Sequence, residues 1–230
     1  MPTTSVLALE QAIVRHCSPT LAALKPASLF TFPGFFVSNA HDSHEKACAA
    51  RSHFSAVLEA CSRQLQADGI RMRVLVWRAC GALVYVYRPD MLASYLADPR
   101  AAAALRDTGY PLENLEDCID LHAVNIAHAG NGPAISCSNV QVCPYEEPCN
   151  KQDRDCEFPH EIGYFLGYPY TDVAEFIRQH GKNYLTVGLW KVYSEREQAL
   201  ATFARYKRCA RTMMHAYRRR GRLSGLAARV

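Results

Sequence analysis

Two rhythms of hydrophobic and polar residues alternate along this chain, and they predict most of its elements. Over residues 45–67 the apolar positions Ala47, Ala50, Phe54, Val57, Leu58, Cys61 and Leu65 recur every three or four residues, and Asp68-Gly69 ends the run. That spacing predicts a long amphipathic helix with a glycine stop. Directly after it the rhythm changes to alternation. Residues 71–80 (RMRVLVWRAC) and 82–89 (ALVYVYRP) flank Gly81 as the two strands of a hairpin. Simple alternation puts Met72, Val74, Val76 and Arg78 on one face of the first strand and Arg73, Leu75 and Trp77 on the other.

The same two templates organise the rest. Residues 7–16 read as a short helix, and Ser18-Pro19 as a fresh helix start, serine capping and proline at the first position, running to about residue 24. Residues 27–32 (ASLFTF) form a short strand closed by Pro33-Gly34. Beyond Pro89 three helical stretches follow to about residue 128, separated by Asp98-Pro99 and Gly109-Tyr110-Pro111. Residues 129–157 have no period and are rich in Gly, Asn, Pro and Cys, the signature of a long functional or disordered loop. Two short helices, ended by Gly167 and Gly181, precede a strand at 184–193 (YLTVGLWKVY), and Ser194-x-x-Glu197 reads as a capping box opening a long C-terminal helix. The sum is an α+β protein with a small, mostly antiparallel sheet of three to five strands flanked by helices.

Composition narrows the class. A chain of 230 residues with 49% hydrophobic and 21% charged residues supports one substantial core. The N-terminus lacks the basic and apolar regions of a secretory signal, and no stretch reaches the roughly 20 apolar residues of a membrane span, so a cytoplasmic location is expected. Charge is segregated. From Arg205 onward there are nine Arg or Lys and no acid, which leaves 17 basic against 22 acidic residues before it. A basic end on an acidic body points to an acidic protein, a nucleic acid or an anionic surface as partner, met by Arg208, Arg211, Arg218, Arg219, Arg220 and Arg222.

Several segments carry a family resemblance: HCSPTLAALKPASLF at 16–30, ALVYVYRPDMLASYL at 82–96, FPHEIGYFLGYPYTDVAEFI at 158–177 and GKNYLTVGLWKVYSEREQALATFARYKRC at 181–209. In this pattern the chain resembles the bacterial family known as domain of unknown function 3793. The resemblance implies a cytosolic bacterial protein and supplies no mechanism. Against it, residues 129–157 look like a cysteine-rich insertion in a single domain at 1–211, and 212–230 like a basic extension.

Four constellations carry candidate chemistry. Cys137, Cys143, Cys149 and Cys156, with His160 four residues on, could hold zinc or an iron-sulfur centre, although no pair has the close C-x2-C to C-x4-C spacing such sites favour. Cys17, immediately before the expected Ser18-Pro19 helix start, would be a stabilised thiolate, with His160 as its base and Glu161 or Asp172 orienting that histidine; His16 is the base nearer in sequence. His160-Glu161 also fits plain helix-start chemistry after Pro159, and Tyr164 replaces the second histidine of H-E-x-x-H, which excludes that metalloprotease motif. Lys25, Arg88 and Lys191, with Lys182, could meet an anionic cofactor if the strand ends converge, without any glycine-rich phosphate loop. These readings lead first to a metal- or redox-linked accessory protein, second to a Cys17–His160 enzyme, and third to a binding module acting through its basic C-terminal helix.

Overall fold

The computed structural model describes residues 4–37, 44–78, 80–129 and 159–228. Helix α1 (Val6–Leu21) leads into strand β1 (Ala27–Pro33), and helix α2 (His44–Gln66) into the hairpin of β2 (Arg71–Arg78) and β3 (Gly81–Tyr87). Helices α3 (Pro89–Leu96), α4 (Pro99–Asp107), α5 (Leu115–Ala129), α6 (Ile162–Phe165) and α7 (Tyr170–Arg178) follow. A hairpin of two-residue strands, β4 (Thr186–Val187) and β5 (Lys191–Val192), then precedes the long C-terminal helix α8 (Arg196–Arg220). The protein is α+β, with an antiparallel sheet in the order β1-β3-β2.

The sheet is covered on both faces, which is why every residue of the central strand β3 is buried. On one face Phe30, Phe32, Val84 and Val86 pack with Leu9, Ile13, Phe54, Leu65 and Tyr217 from α1, α2 and α8. On the other Tyr85 and Tyr87 pack with Leu92, Leu105, Ile119, Tyr164 and Phe165 from α3 to α6. Tyr85 donates to the Phe165 carbonyl at 2.6 Å and Tyr87 to Glu116 at 2.9 Å, so each buried hydroxyl finds an acceptor on that side.

Strict alternation fails once in β2. The register steps from Val74↔Val84 to Val76↔Leu83, which leaves Leu75 as an extra residue, a bulge that exchanges the faces beyond it. Trp77 therefore joins Met72 and Val74 on the α2 side, its ring tilted against Phe36 and edge-on to Phe54, while Leu75 packs on the other side. Arg73, also on that other side, pairs with Glu116 and Asp120 of α5.

Three further expectations are corrected. The two N-terminal helices are one: α1 is capped by Ser5, continues through Ser18 and carries Pro19 in its last turn, while the Ser18 hydroxyl donates back to the Val14 carbonyl. The ten-residue strand expected at 184–193 is a short hairpin. Gly188 presses against the Phe203 ring where no Cβ would fit, and its N–H donates to the Trp190 carbonyl at 3.0 Å, turning the chain. Ser194 does not cap α8. That position is Glu195, in the left-handed region at φ +40°, while the Ser194 N–H and hydroxyl both donate to Asp172.

Nor does the basic end simply trail from the body. Tyr217, Leu223 and Leu226 are buried in the same core as α1, and the Ala228 N–H donates to the Leu21 carbonyl at 2.9 Å.

Candidate functional site

The four loop thiols Cys137, Cys143, Cys149 and Cys156 lie outside the described residues. Among the described residues no group of three or more His, Cys, Asp or Glu side chains could hold a metal ion. His160 stands in a turn before α6, its ring edge-on to Phe176 at 5.1 Å. Glu161 is the N-cap of the four-residue helix α6 through its carbonyl, with no side-chain cap bond, and its charge acts on the Tyr110 and Tyr164 hydroxyls.

Asp172 is occupied elsewhere. Its carboxylate is buried and accepts from the Trp190 indole at 2.8 Å, the Tyr193 N–H at 2.8 Å, and the Ser194 N–H at 3.0 Å. It ties α7 to the β4–β5 hairpin and to the start of α8, a structural junction rather than the orienting group of a catalytic histidine.

Cys17 needs the clearest correction. Because α1 is continuous, the thiol lies in the helix body and receives no help from free N–H groups at a helix start. It is completely buried, and burial pushes its pKa up to about 12, with opposing effects from Lys25 and Ser28. A nucleophile needs the thiolate and access to substrate, and burial works against both at Cys17.

Two of the three residues expected to meet an anionic cofactor have backbone acceptors instead. Arg88 is buried and donates to four carbonyls: Thr20 at 2.7 Å, Leu21 at 2.8 Å, Asp68 at 2.9 Å and Ala228 at 2.7 Å. Its guanidinium thus adds a charged donor to the Thr20 and Leu21 carbonyls, which also accept from the Ala23 and Ala228 N–H groups, and draws the end of the chain onto the C-terminus of α1. Lys191 donates to the Gly181 carbonyl at 2.7 Å and sits over the rings of Tyr184 and Phe176. Lys25 is half-buried, 5.3 Å from the centre of the Tyr168 ring, and burial lowers its pKa to about 8 against a raising effect of Cys17. The three have separate partners.

What does converge is a groove of about 520 Å³ where the C-terminal turn of α1 meets α8 and the last residues. Leu24, Met213 and Leu226 give it an apolar floor, and Arg205, Arg208 and Arg220 line its margin. Its walls are fixed by bonds from α8 to α1: Tyr206 donates to the Leu24 carbonyl at 3.1 Å and the Cys209 thiol to the Ser18 carbonyl at 3.4 Å.

The electrostatics of this flank differ from those of the body. Arg63, Arg71, Arg73, Arg100 and Arg178 are each paired with a carboxylate. Among the described residues, no basic side chain of α8 from Arg205 to Arg220 has such a pair. The charge run that marks this region was visible in the sequence. The groove was not, because it depends on Leu223 and Leu226 folding back across the helix.

Sequence reasoning also missed His122. It is buried on α5, stacked on Phe165 with 4.1 Å between ring centroids, with Nδ1 2.9 Å from the Tyr110 hydroxyl. Its Nε2 has no hydrogen-bond partner among the described residues, and burial pushes its pKa down to about 3. Only its place on the apolar face of α5 could have signalled this.

No curated protein and no solved structure matches the chain. A family model does, from residue 13 to residue 227, a span that takes in both the cysteine-rich segment and most of the basic end. Matched over nearly its whole length, the chain belongs to the family described as protein of unknown function (DUF3793).

Proposed function

We propose that the protein is a polyanion-binding module, with the groove beside α8 and the outward arginines of that helix receiving an acidic partner. The observation that carries this reading is the contrast in pairing: Arg63, Arg71, Arg73, Arg100 and Arg178 have carboxylate partners, whereas Arg205, Arg208 and Arg220 flank an open groove without one. Unpaired cations on one side of a rigid helix raise the local concentration of anions and recruit them over a distance set by salt. The bonds of Tyr206, Cys209 and Tyr217 to the body hold the helix, so a ligand meets an ordered array.

A short single-stranded oligonucleotide serves as a generic polyanion for the test. Affinity of the full chain should fall steeply between about 50 and 200 mM salt, and the Arg205→Ser/Arg208→Ser variant should shorten the log-log slope by roughly 0.7 per arginine lost. Binding that is absent, or indifferent to salt, would remove the reading.

A further inference from the structure

Resting on the polyanion-binding reading for the outward cations of α8, we infer that a membrane surface is the anion they meet, engaged by the β4–β5 hairpin together with a basic stripe on a face of α8 apart from the groove. Large hydrophobic side chains are left exposed in one place above all. Tyr184 (43% exposed), Leu185 (58%), Val187 (57%) and Leu189 (45%) fall within six consecutive residues, and Leu200 (44%) follows Ala199, which packs with Val192 of the same hairpin. These are five of the nine exposed large hydrophobic residues among the described ones, so the clustering is not the scatter of single apolar residues that every surface shows.

The hairpin is held in place on α8. Gly188 lies against the Phe203 ring, Trp190 meets that ring edge-on at 4.5 Å, and Asp172 fixes the Trp190 indole. Its apolar side chains are thus presented on a fixed support.

Helix geometry then links patch and charge. Counting 100° per residue, Leu200, Lys207, Arg211 and Arg218 fall within about 40° of one another around α8, a stripe about 27 Å long. At one end Leu200 follows Ala199, which packs with Val192 of the hairpin, and along the rest the stripe presents cations to solvent.

Three features favour lipid over other anions. Exposed aliphatic side chains gain nothing from nucleic acid, whose bases call for flat stacking partners. A partner strand is a poor fit too, because β4 and β5 are two residues each and already bond to one another, with Leu185 N–H donating to the Val192 carbonyl at 2.8 Å. The same internal pairing lowers the cost of placing the hairpin among acyl chains, where a free N–H has no acceptor. Finally, the aliphatic group is bordered by Tyr184, Trp190, Lys182 and Lys191, with the Lys191 ammonium 5.0 Å from the centre of the Tyr184 ring. Aromatic and lysine side chains around an aliphatic tip suit the boundary between headgroups and hydrocarbon.

The experiment is sedimentation of the full chain with vesicles of equal parts phosphatidylcholine and phosphatidylglycerol, against vesicles of phosphatidylcholine alone, with the oligonucleotide assay in parallel. The mixed vesicles should carry the protein down and the neutral ones leave it in solution. Leu185→Ser/Val187→Ser/Leu189→Ser should weaken vesicle binding at least tenfold while leaving oligonucleotide affinity unchanged, which also shows that the variant is folded. Lys207→Glu/Arg211→Glu should weaken both. In a Trp77→Phe background, Trp190 emission should shift to the blue with mixed vesicles. Oligonucleotide binding without vesicle binding overturns the membrane assignment and spares the polyanion reading; loss of both overturns both. Hairpin-dependent binding of poly-glutamate without vesicle binding would give the patch to an acidic protein and also overturn the assignment.

Discussion

Arginine plays opposite parts inside the fold and on its surface. At the end of α1, Arg88 donates to four backbone carbonyls drawn from α1, the turn after α2 and the C-terminal segment. On the surface of α8, Arg205 and Arg208 border a groove and pair with no carboxylate among the described residues, while Arg220 at the same groove donates to the Gly225 carbonyl. A guanidinium whose donors are filled by the fold belongs to stability, and one whose charge the fold leaves unbalanced is open to a partner. The two kinds cannot be separated by residue type or by position in the sequence, only by what each side chain meets.

Arg88→Met gives this comparison its largest test. The substitution keeps much of the aliphatic volume but removes four charged donations to buried carbonyls, leaving Thr20 and Leu21 their backbone donors alone, and it releases the Ala228 carbonyl. It should lower stability by about 3–5 kcal/mol, read from the denaturant midpoint. A loss below about 1 kcal/mol would mean that water replaces the guanidinium freely and that the inner site is not a clamp.

The physics of legibility follows the same division. Elements set by local rhythm were readable: α2 from its apolar spacing, the β2–β3 hairpin from alternation around Gly81, and the long α8. Features that need distant chain were not. Ser18-Pro19 looks like a helix start because serine and proline favour one, yet Arg88, Cys209 and Ala228 supply tertiary donors around the last turn of α1, which continues past both residues. The bulge at Leu75 and the fold-back of Leu223 and Leu226 leave no mark on hydrophobic period at all. For the candidate site, the basic run was plain in the sequence. Its groove and its apolar neighbour were hidden, because YLTVGLWKVY has the composition of a buried strand and only the structure leaves its aliphatic residues exposed.

His122 tests the inner side by pH. Folding holds it neutral, with a pKa near 3 against 6.5 for an unperturbed imidazole. Between those values the unfolded chain binds the extra proton, so its contribution to stability is complete above about pH 6.5 and is lost as the pH falls toward 3. The slope should approach about 1.4 kcal/mol per pH unit, a loss of about 2 kcal/mol by pH 5. His122→Phe keeps the stack on Phe165 and should flatten that part of the profile. An unchanged slope would mean that protonated His122 is accommodated in the folded state.

Asp172→Asn probes the junction that supports the outer surface. One amide oxygen can still accept from the Tyr193 and Ser194 N–H groups, but the amide NH2 cannot accept from the Trp190 indole. A loss of about 1–2 kcal/mol is expected, with broadened Trp190 emission as the hairpin loses its anchor. Equal stability together with unaltered emission would show that Phe203 alone positions the hairpin.

The smallest effect on stability is the one that sharpens the comparison most. Arg205→Ser/Arg208→Ser removes two cations from the groove margin without taking a carboxylate partner away from any described residue. Thermal or denaturant midpoints should therefore move by no more than about 0.5 kcal/mol, since exposed charges far from a partner contribute little to folding. Relief of repulsion along the basic helix should even make the sign of that small change favourable at low salt. The same variant should weaken oligonucleotide binding, so stability and affinity move apart at these positions while Arg88→Met takes both down together. Equal losses of stability at the two sites would erase the distinction between an arginine spent inside the fold and one held ready outside it.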